Sequence, residues 1–217
     1  IGEDMLNKGK QYLVIGCGRF GSTVATTLED LGNQVMAIDI DEDALQKIAD
    51  RVTYSAIVDV TDENALIDIG IRNFDAVIIG ISTDFRAAIM SILVAKEMGV
   101  KLVVCKVADE IQSKVMKKVG ADYTIMPEHS VGRRLAYNLT SENVVDQMIL
   151  SDELSIYEIN VPEKWIGKSI GQLDLRKQHG INIIAIKRGG KTMLTIRPDV
   201  VLSLIHISEP TRRYAIS

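Results

Sequence analysis

Residues 11–28 run Gln11-Tyr12-Leu13-Val14-Ile15-Gly16-Cys17-Gly18-Arg19-Phe20-Gly21-Ser22-Thr23-Val24-Ala25-Thr26-Thr27-Leu28 and read as strand, glycine loop and helix in that order. Each glycine answers a separate need. Gly16 allows the tight turn, Gly18 lets backbone approach a pyrophosphate, and Gly21 lets helix and strand pack closely. The free N–H groups and positive end of the helix attract phosphate. A second strand, Gln34 to Ile38, ends in Asp39, about twenty residues past the loop, as a nucleotide-binding fingerprint requires. A carboxylate there can accept from both hydroxyls of a ribose.

Asp39 also narrows the ligand class. Its charge repels a 2′-phosphate and so disfavours NADP, while NAD(H), ADP and ATP, each with an unmodified adenosine ribose, remain open. Asp41, two residues on, either shares that role or is a solvated loop carboxylate.

The chain has 217 residues, a formal net charge of −4 and 47 % apolar residues with 5 % aromatics. That length holds one full domain and a small second one. The Ile, Val, Leu and Ala bias suits a parallel sheet buried on both faces. Mild acidity argues against a nucleic-acid binder. The two cysteines, Cys17 and Cys105, make no disulfide framework, and a reducing cytoplasm is expected. No apolar run reaches the roughly 20 residues that would span a bilayer, and no secretory signal opens the sequence.

Further strand-like runs at Ser55–Val58, Ala76–Ile79, Leu102–Cys105 and Tyr123–Met126 alternate with helical segments. Six strands interleaved with helices predict an α/β, doubly wound, Rossmann-like parallel sheet. Residues 130–151 predict a helix–turn–helix linker, its two apolar stripes set around Thr140 to Asn143. Leu154–Val161 and Ile183–Ile186 read as strands, and Lys187–Lys191 as a hairpin turn into Met193–Ile196. The second domain is therefore expected to be small and α+β.

Together these motifs resemble the RCK (TrkA-N/TrkA-C) family, the cytosolic nucleotide-binding regulators of potassium channels and of Ktr/Trk potassium uptake. The resemblance rests on Tyr12–Gly21, Ala37-Ile38-Asp39, Asp59-Val60-Thr61, Gly70–Asp75, Val119–Asp122 and Pro127-Glu128 in the first lobe. In the second lobe it rests on Asp174-Leu175-Arg176, His179–Asn182 and Ile184–Lys187. It covers roughly residues 8–201 and is closest to the KtrA/KtrC-type regulatory subunits.

The resemblance implies domains at 8–129 (nucleotide-binding), 130–151 (linker) and 152–201 (a partial RCK C-terminal domain). It implies that Gly16, Cys17, Gly18, Arg19, Phe20 and Gly21 cradle ATP, ADP or NAD(H), with Arg19 on the terminal phosphates. Asp39 would hold the ribose, Asp59 and Val60 would lie near the adenine, and Lys106 near the phosphates. Glu128 would meet the phosphates or a divalent cation beside them. In the second lobe, Ile166, Ile170, Arg176, Ile181 and Asn182 match positions expected to bind cyclic di-AMP, although core packing accounts equally well for the isoleucines. The implied assembly is a homodimer building a ring, usually octameric, beneath a membrane potassium-translocating subunit of the KtrB/KtrD or TrkH-like kind. The implied location is the cytoplasmic face of the membrane.

The family's C-terminal lobe continues past Val201 through another strand–helix–strand unit. Here residues 202–217 resemble instead the translation of a transposon-end sequencing adapter and are expected to add nothing to the fold; the alternative is a genuine last strand. Met5 sits where the family begins, so Ile1 to Asp4 are expected to be upstream read-through. The competing function is an NAD-dependent dehydrogenase or reductase. It needs an acid or base at a substrate pocket, and the sequence offers only His129, His179 and His206, with His129 beside Glu128 the only candidate couple. The expectation is a regulator and not an enzyme.

Overall fold

The computed structural model describes residues 9–140, 143–149, 154–203 and 206–212. The chain divides into two compact units, residues 1–128 and 129–217.

In the first unit β1 (Gln11–Ile15), β2 (Gln34–Asp39), β3 (Tyr54–Ile57), β4 (Ala76–Ile79), β5 (Leu102–Lys106) and β6 (Tyr123–Ile125) form one parallel sheet in the order β3-β2-β1-β4-β5-β6. Parallel strands need crossovers, and α1 (Arg19–Asp30), α2 (Glu42–Gln46), α3 (Glu63–Asp68), α4 (Phe85–Glu97) and α5 (Glu110–Val119) supply them. Asp41, Asp62, Asp84 and Asp109 cap α2 to α5 through their carboxylates. Those caps satisfy N–H groups that would otherwise be orphaned. The doubly wound expectation holds, with both faces dry. Leu13, Ile15, Val77, Ile79 and Val103 pack under α3–α5 on one side, and Val14, Val35, Ala37 and Ile78 pack under α1 and α2 on the other.

The second unit is an antiparallel sheet in the order β10-β9-β11-β8-β7. Its strands are β7 (Val144–Ile149), β8 (Leu154–Asn160), β9 (Ala185–Arg188), β10 (Lys191–Met193) and β11 (His206–Arg212). α6 (Pro127–Thr140) precedes it, and the short α7 (Ile170–Leu173) and α8 (Leu175–His179) lie between β8 and β9. Val161, Trp165, Leu173, Leu175, Ile186 and Leu202 form its core. Gly189 and Gly190 both take positive φ in the β9–β10 hairpin, the turn expected there.

Two expectations are corrected. The helix–turn–helix over 130–151 is one helix followed by a strand: Val144–Ile149 pairs antiparallel with β8 through a bulge at Val144/Asp146. Apolar residues at 144, 145, 148 and 149 fit a helix stripe, but paired β-branched residues also suit a pleated strand, and the β8 edge decides between them. Ser141 lies outside the described residues, and Thr140 is the last residue of α6, its hydroxyl donating to the Ala136 carbonyl at 3.0 Å. The second correction concerns the residues after Val201. Leu202 is fully buried, and β11 pairs with both β8 and β9. Without it those two strands would each carry an unpaired edge, which explains why the segment is taken into the sheet.

Candidate functional site

The strand order reverses between β1 and β4, and such a switch point opens a crevice at the carboxyl ends of the strands. Here that crevice is a cavity of about 340 Å³, lined by the glycine loop, Asp39 to Asp41, Val58 to Thr61 and Gly80 to Asp84.

The three loop glycines are required for different reasons. Gly16 has φ +90°, and a Cβ on it would lie 2.9 Å from the Ile81 backbone nitrogen. A Cβ on Gly21 would overlap the Gly16 carbonyl oxygen, so α1 could not pack against the loop. Around Gly18 nothing lies within 4 Å of the Cβ position, and its φ of −65° suits any residue. The space over Gly18 is room on the ligand side. Gly18 also starts α1 without a side-chain cap, and no acidic residue sits in the first turn. The first N–H groups of α1 are left for an anion.

Asp39 ends β2 facing this loop. Its Oδ2 accepts from the Cys17 N–H at 2.5 Å and its Oδ1 from the Asp41 N–H at 3.0 Å. A carboxylate has lone pairs beyond these two bonds, so Asp39 can position the loop and still accept from ribose hydroxyls. Asp41 also lines the crevice, and its Oδ1 caps α2 by accepting from the Asp43 and Ala44 N–H groups. Asp59 and Val60 line the same crevice. The Asp59 Oδ1 accepts from the Thr61 hydroxyl at 2.7 Å and N–H at 2.9 Å. Those two bonds, with a smaller contribution from the Arg86 charge, hold its carboxyl below the usual range against some desolvation.

Cys17 and Phe20 serve the loop differently from its glycines. The Cys17 side chain is buried, its thiol donates to the Ile38 carbonyl at 3.5 Å, and only its N–H faces the site. Burial and the nearby Asp39 charge push that thiol up to about 12, so it stays protonated. Phe20 packs against the core beneath α1.

Arg19, Lys106 and Glu128 form a second cluster and do not line the crevice. Lys106 Nζ meets Glu128 Oε1 at 2.8 Å. That bond and the Glu128 backbone N–H, with Lys106 and Arg19 adding their charges, hold the Glu128 carboxyl below its usual range. Among the described residues no group of three or more His, Cys, Asp or Glu could hold a metal ion. Glu128 is a single carboxylate paired with Lys106, so a cation there would need the ligand's phosphates to complete its coordination.

Sequence reasoning missed the loop Gly80-Ile81-Ser82-Thr83-Asp84. The signal was present: an all-apolar strand stopping at Gly80 and followed, after Ile81, by the polar residues Ser82, Thr83 and Asp84, opposite the glycine loop across the switch point. A Cβ on Gly80 would lie 2.8 Å from the Gly16 oxygen, so the two loops touch through glycines.

In the second unit a cavity of about 370 Å³ brings together Ile170, Arg176, Ile181 and Asn182, and adds Asp174 and Arg197. Ile166, the fifth residue expected there, follows the turn at Glu163–Trp165 and does not line it.

A Rossmann-like sheet with a capless glycine loop facing a strand-end carboxylate defines a nucleotide-binding class of domain. Comparison with known proteins places it within that class. The family model described as the TrkA-N domain matches residues 12–127, and that described as the TrkA-C domain matches residues 154–204. Ktr system potassium uptake protein C of Bacillus subtilis is 40 % identical over 186 residues, 86 % of this chain and 84 % of the relative. Ktr system potassium uptake protein A of Vibrio alginolyticus is 38 % identical over 90 % of this chain and 88 % of the relative. Among solved structures the GsuK channel superposes with a TM-score of 0.68 at 17 % identity, over 94 % of this chain and 37 % of that one. The chain belongs to the Ktr/Trk family of potassium uptake proteins. Among the described residues no helix is long and apolar enough to cross a membrane.

Proposed function

We propose that this chain is a nucleotide-sensing regulatory subunit that controls potassium flux through a membrane-embedded partner. The observation that carries the reading is the crevice between Gly18 and Asp39, free phosphate-seeking N–H groups on one wall and a ribose-seeking carboxylate on the other. ATP, ADP or NAD(H) would place its phosphates over Gly18 and the α1 N-terminus. Its ribose would meet Asp39, and its adenine would lie between Val60 and the Gly80–Asp84 loop. Arg19 gives the phosphates a planar fork of donors. Lys106 exchanges Glu128 for phosphate oxygens, which couples the crevice to the cluster around α6. We further propose that the Arg176–Asn182 cavity takes cyclic di-AMP, that copies of the chain assemble into a ring, and that the ring works on the cytoplasmic face of the membrane.

A dehydrogenase reading lacks support at the same place. Neither His129 nor His179 lines the crevice, and Asp41, Asp59 and Asp84 are engaged in caps and turns. Titration of the purified chain with ATP, ADP and NADH, followed by thermal shift and by sizing of the assembly, tests the proposal. Nucleotide-dependent potassium flux with a reconstituted partner completes it; absence of a shift with all three nucleotides would sink it.

A further inference from the structure

A third cavity, of about 320 Å³, lies wholly in the second unit and is lined by His129, Ser130, Arg133, Arg134, Tyr137 and Gln147. α6 turns about 100° per residue, so His129, Arg133 and Tyr137 share one face. Val131, Leu135 and Leu139 form an exposed apolar stripe on the opposite side. The groove and the stripe are therefore separate surfaces of one helix.

The groove carries an unmet demand. Gln147 comes from β7, is only 5 % exposed, and donates from Nε2 to the Tyr157 hydroxyl at 2.7 Å. Its Oε1 is buried with no hydrogen-bond partner among the described residues, although buried polar atoms in folded proteins are nearly always paired. The groove is lined by two arginines, and the Asp146 carboxylate, which accepts from the Gln147 N–H at 2.8 Å, offsets one of them. Arg134 is tied to Asp146 at 3.0 Å, whereas Arg133 lies 5.7 Å over the Tyr137 ring and meets no carboxylate among the described residues.

We propose that this groove binds a protonated phosphate, either the free ion or the headgroup of a small phosphate ester. Arg133 and the Ser130 hydroxyl would hold the anionic oxygens, and the phosphate O–H would donate to the Gln147 Oε1. A bare cation is repelled by the arginines. A fully deprotonated oxyanion such as sulfate fits the charge but leaves the Gln147 oxygen unpaired. Inorganic phosphate keeps an O–H at neutral pH, because its last proton leaves only in a third ionisation far above neutrality, whereas a phosphate monoester loses its last O–H at about pH 6 and would have to bind as its monoanion.

Calorimetric titration of the full chain at neutral pH with sodium phosphate, glycerol phosphate and sodium sulfate, at matched ionic strength, tests this. Phosphate is expected to bind about tenfold more tightly than sulfate, the typical cost of leaving one buried acceptor unmet. Hydrogen exchange should slow in α6 and β7. Arg133→Gln should weaken phosphate binding about tenfold, and Gln147→Met should bring phosphate and sulfate level. Equal binding of glycerol phosphate points to an ester headgroup and weaker binding to the free ion; either supports the site. Equal affinity for phosphate and sulfate in the unaltered chain overturns the proposal, a comparison that stands even if Gln147→Met fails to fold. Phosphate binding untouched by Arg133→Gln but abolished by Gly18→Val also overturns it, by assigning the ion to the glycine loop.

Discussion

The two cavities in which family ligands are expected differ in how their chemistry is written into the chain. The first-unit crevice is built from backbone: N–H groups over Gly18, contacts through Gly16, Gly21 and Gly80, and one carboxylate at a strand end. Only glycine meets those steric demands, so the sequence betrays them. The second-unit cavity is built from side chains such as Ile170, Ile181 and Asn182, and an isoleucine in a pocket has the same sequence signature as an isoleucine in a core. A site made of backbone constraint is legible; a site made of ordinary side chains needs the fold first.

The sharpest way to break that comparison is at Gly21. A Cβ there overlaps the Gly16 carbonyl, which is backbone and cannot swing aside. Gly21→Val is expected to destabilise the first unit by more than about 4 kcal/mol, in the range reserved for severe core defects. Gly18→Ala, with open space and ordinary φ, should leave the unfolding free energy from urea titration within about 0.5 kcal/mol of the parent while weakening ADP binding. If the two variants lose stability alike, the glycines do not divide as described.

The second unit gives the next largest effect. Its core among the described residues is small, and Leu202 is fully buried in it. Leu202→Ala should cost about 3 kcal/mol. The only tryptophan, Trp165, sits in the same core. Its fluorescence should therefore report an earlier transition while far-UV circular dichroism, dominated by the first unit, moves much less. An unmoved Trp165 transition would show that the residues after Val201 contribute nothing to this unit.

Legibility fell off where tertiary context chose between equal local options. The class of the first sheet followed from alternation, because all-apolar runs such as Ala76–Ile79 set between helical segments suit a parallel sheet covered on both faces. Val144–Ile149 carried no such instruction: its spacing suits helix and strand, and the β8 edge settled it. Ile183 and Ile184 are expected in a strand, yet β9 begins at Ala185, where pairing with β11 starts, and pairing with β10 follows from Ile186. Lys106 and Glu128 were each expected at the phosphates, and an ion pair over 22 positions of sequence is invisible to motif reading.

Asp39→Asn probes the one side chain that makes the backbone site specific. Asparagine can accept from the Cys17 N–H but then turns its NH2 toward the Asp41 N–H, so about 1 kcal/mol of stability should be lost, and the charge that strengthens ribose bonds is gone. Affinity for ADP should fall roughly tenfold, about 1.4 kcal/mol. Unchanged affinity by calorimetry would remove Asp39 from the ligand contacts and leave it a support for the loop.

The smallest expected effect lies at Asp122, which ties the β5 end of the sheet to α4. Its Oδ2 accepts from the Val103 N–H at 2.7 Å, and Lys96 Nζ reaches the same carboxylate at 3.0 Å. Burial pushes this carboxyl up, but the Val103 bond and Lys96 outweigh it and hold the group below its ordinary value of 3.8. A carboxyl depressed in the folded state contributes stability above its unfolded pKa and loses it as pH falls through the folded one. Both side chains are about a third exposed, so solvent screening limits the contribution to no more than about 1 kcal/mol. Asp122→Asn retains an acceptor for Val103 and should lower the first unit's urea midpoint at neutral pH by that small amount. The gap from the parent should begin to narrow as pH falls past the ordinary value of 3.8 and close only once it has fallen through the depressed folded-state value. The Trp165 transition should stay put throughout, since the bond lies within the first unit. A gap that keeps its size from neutral pH down through that folded-state value would mean that Asp122 acts through packing and not through its charge.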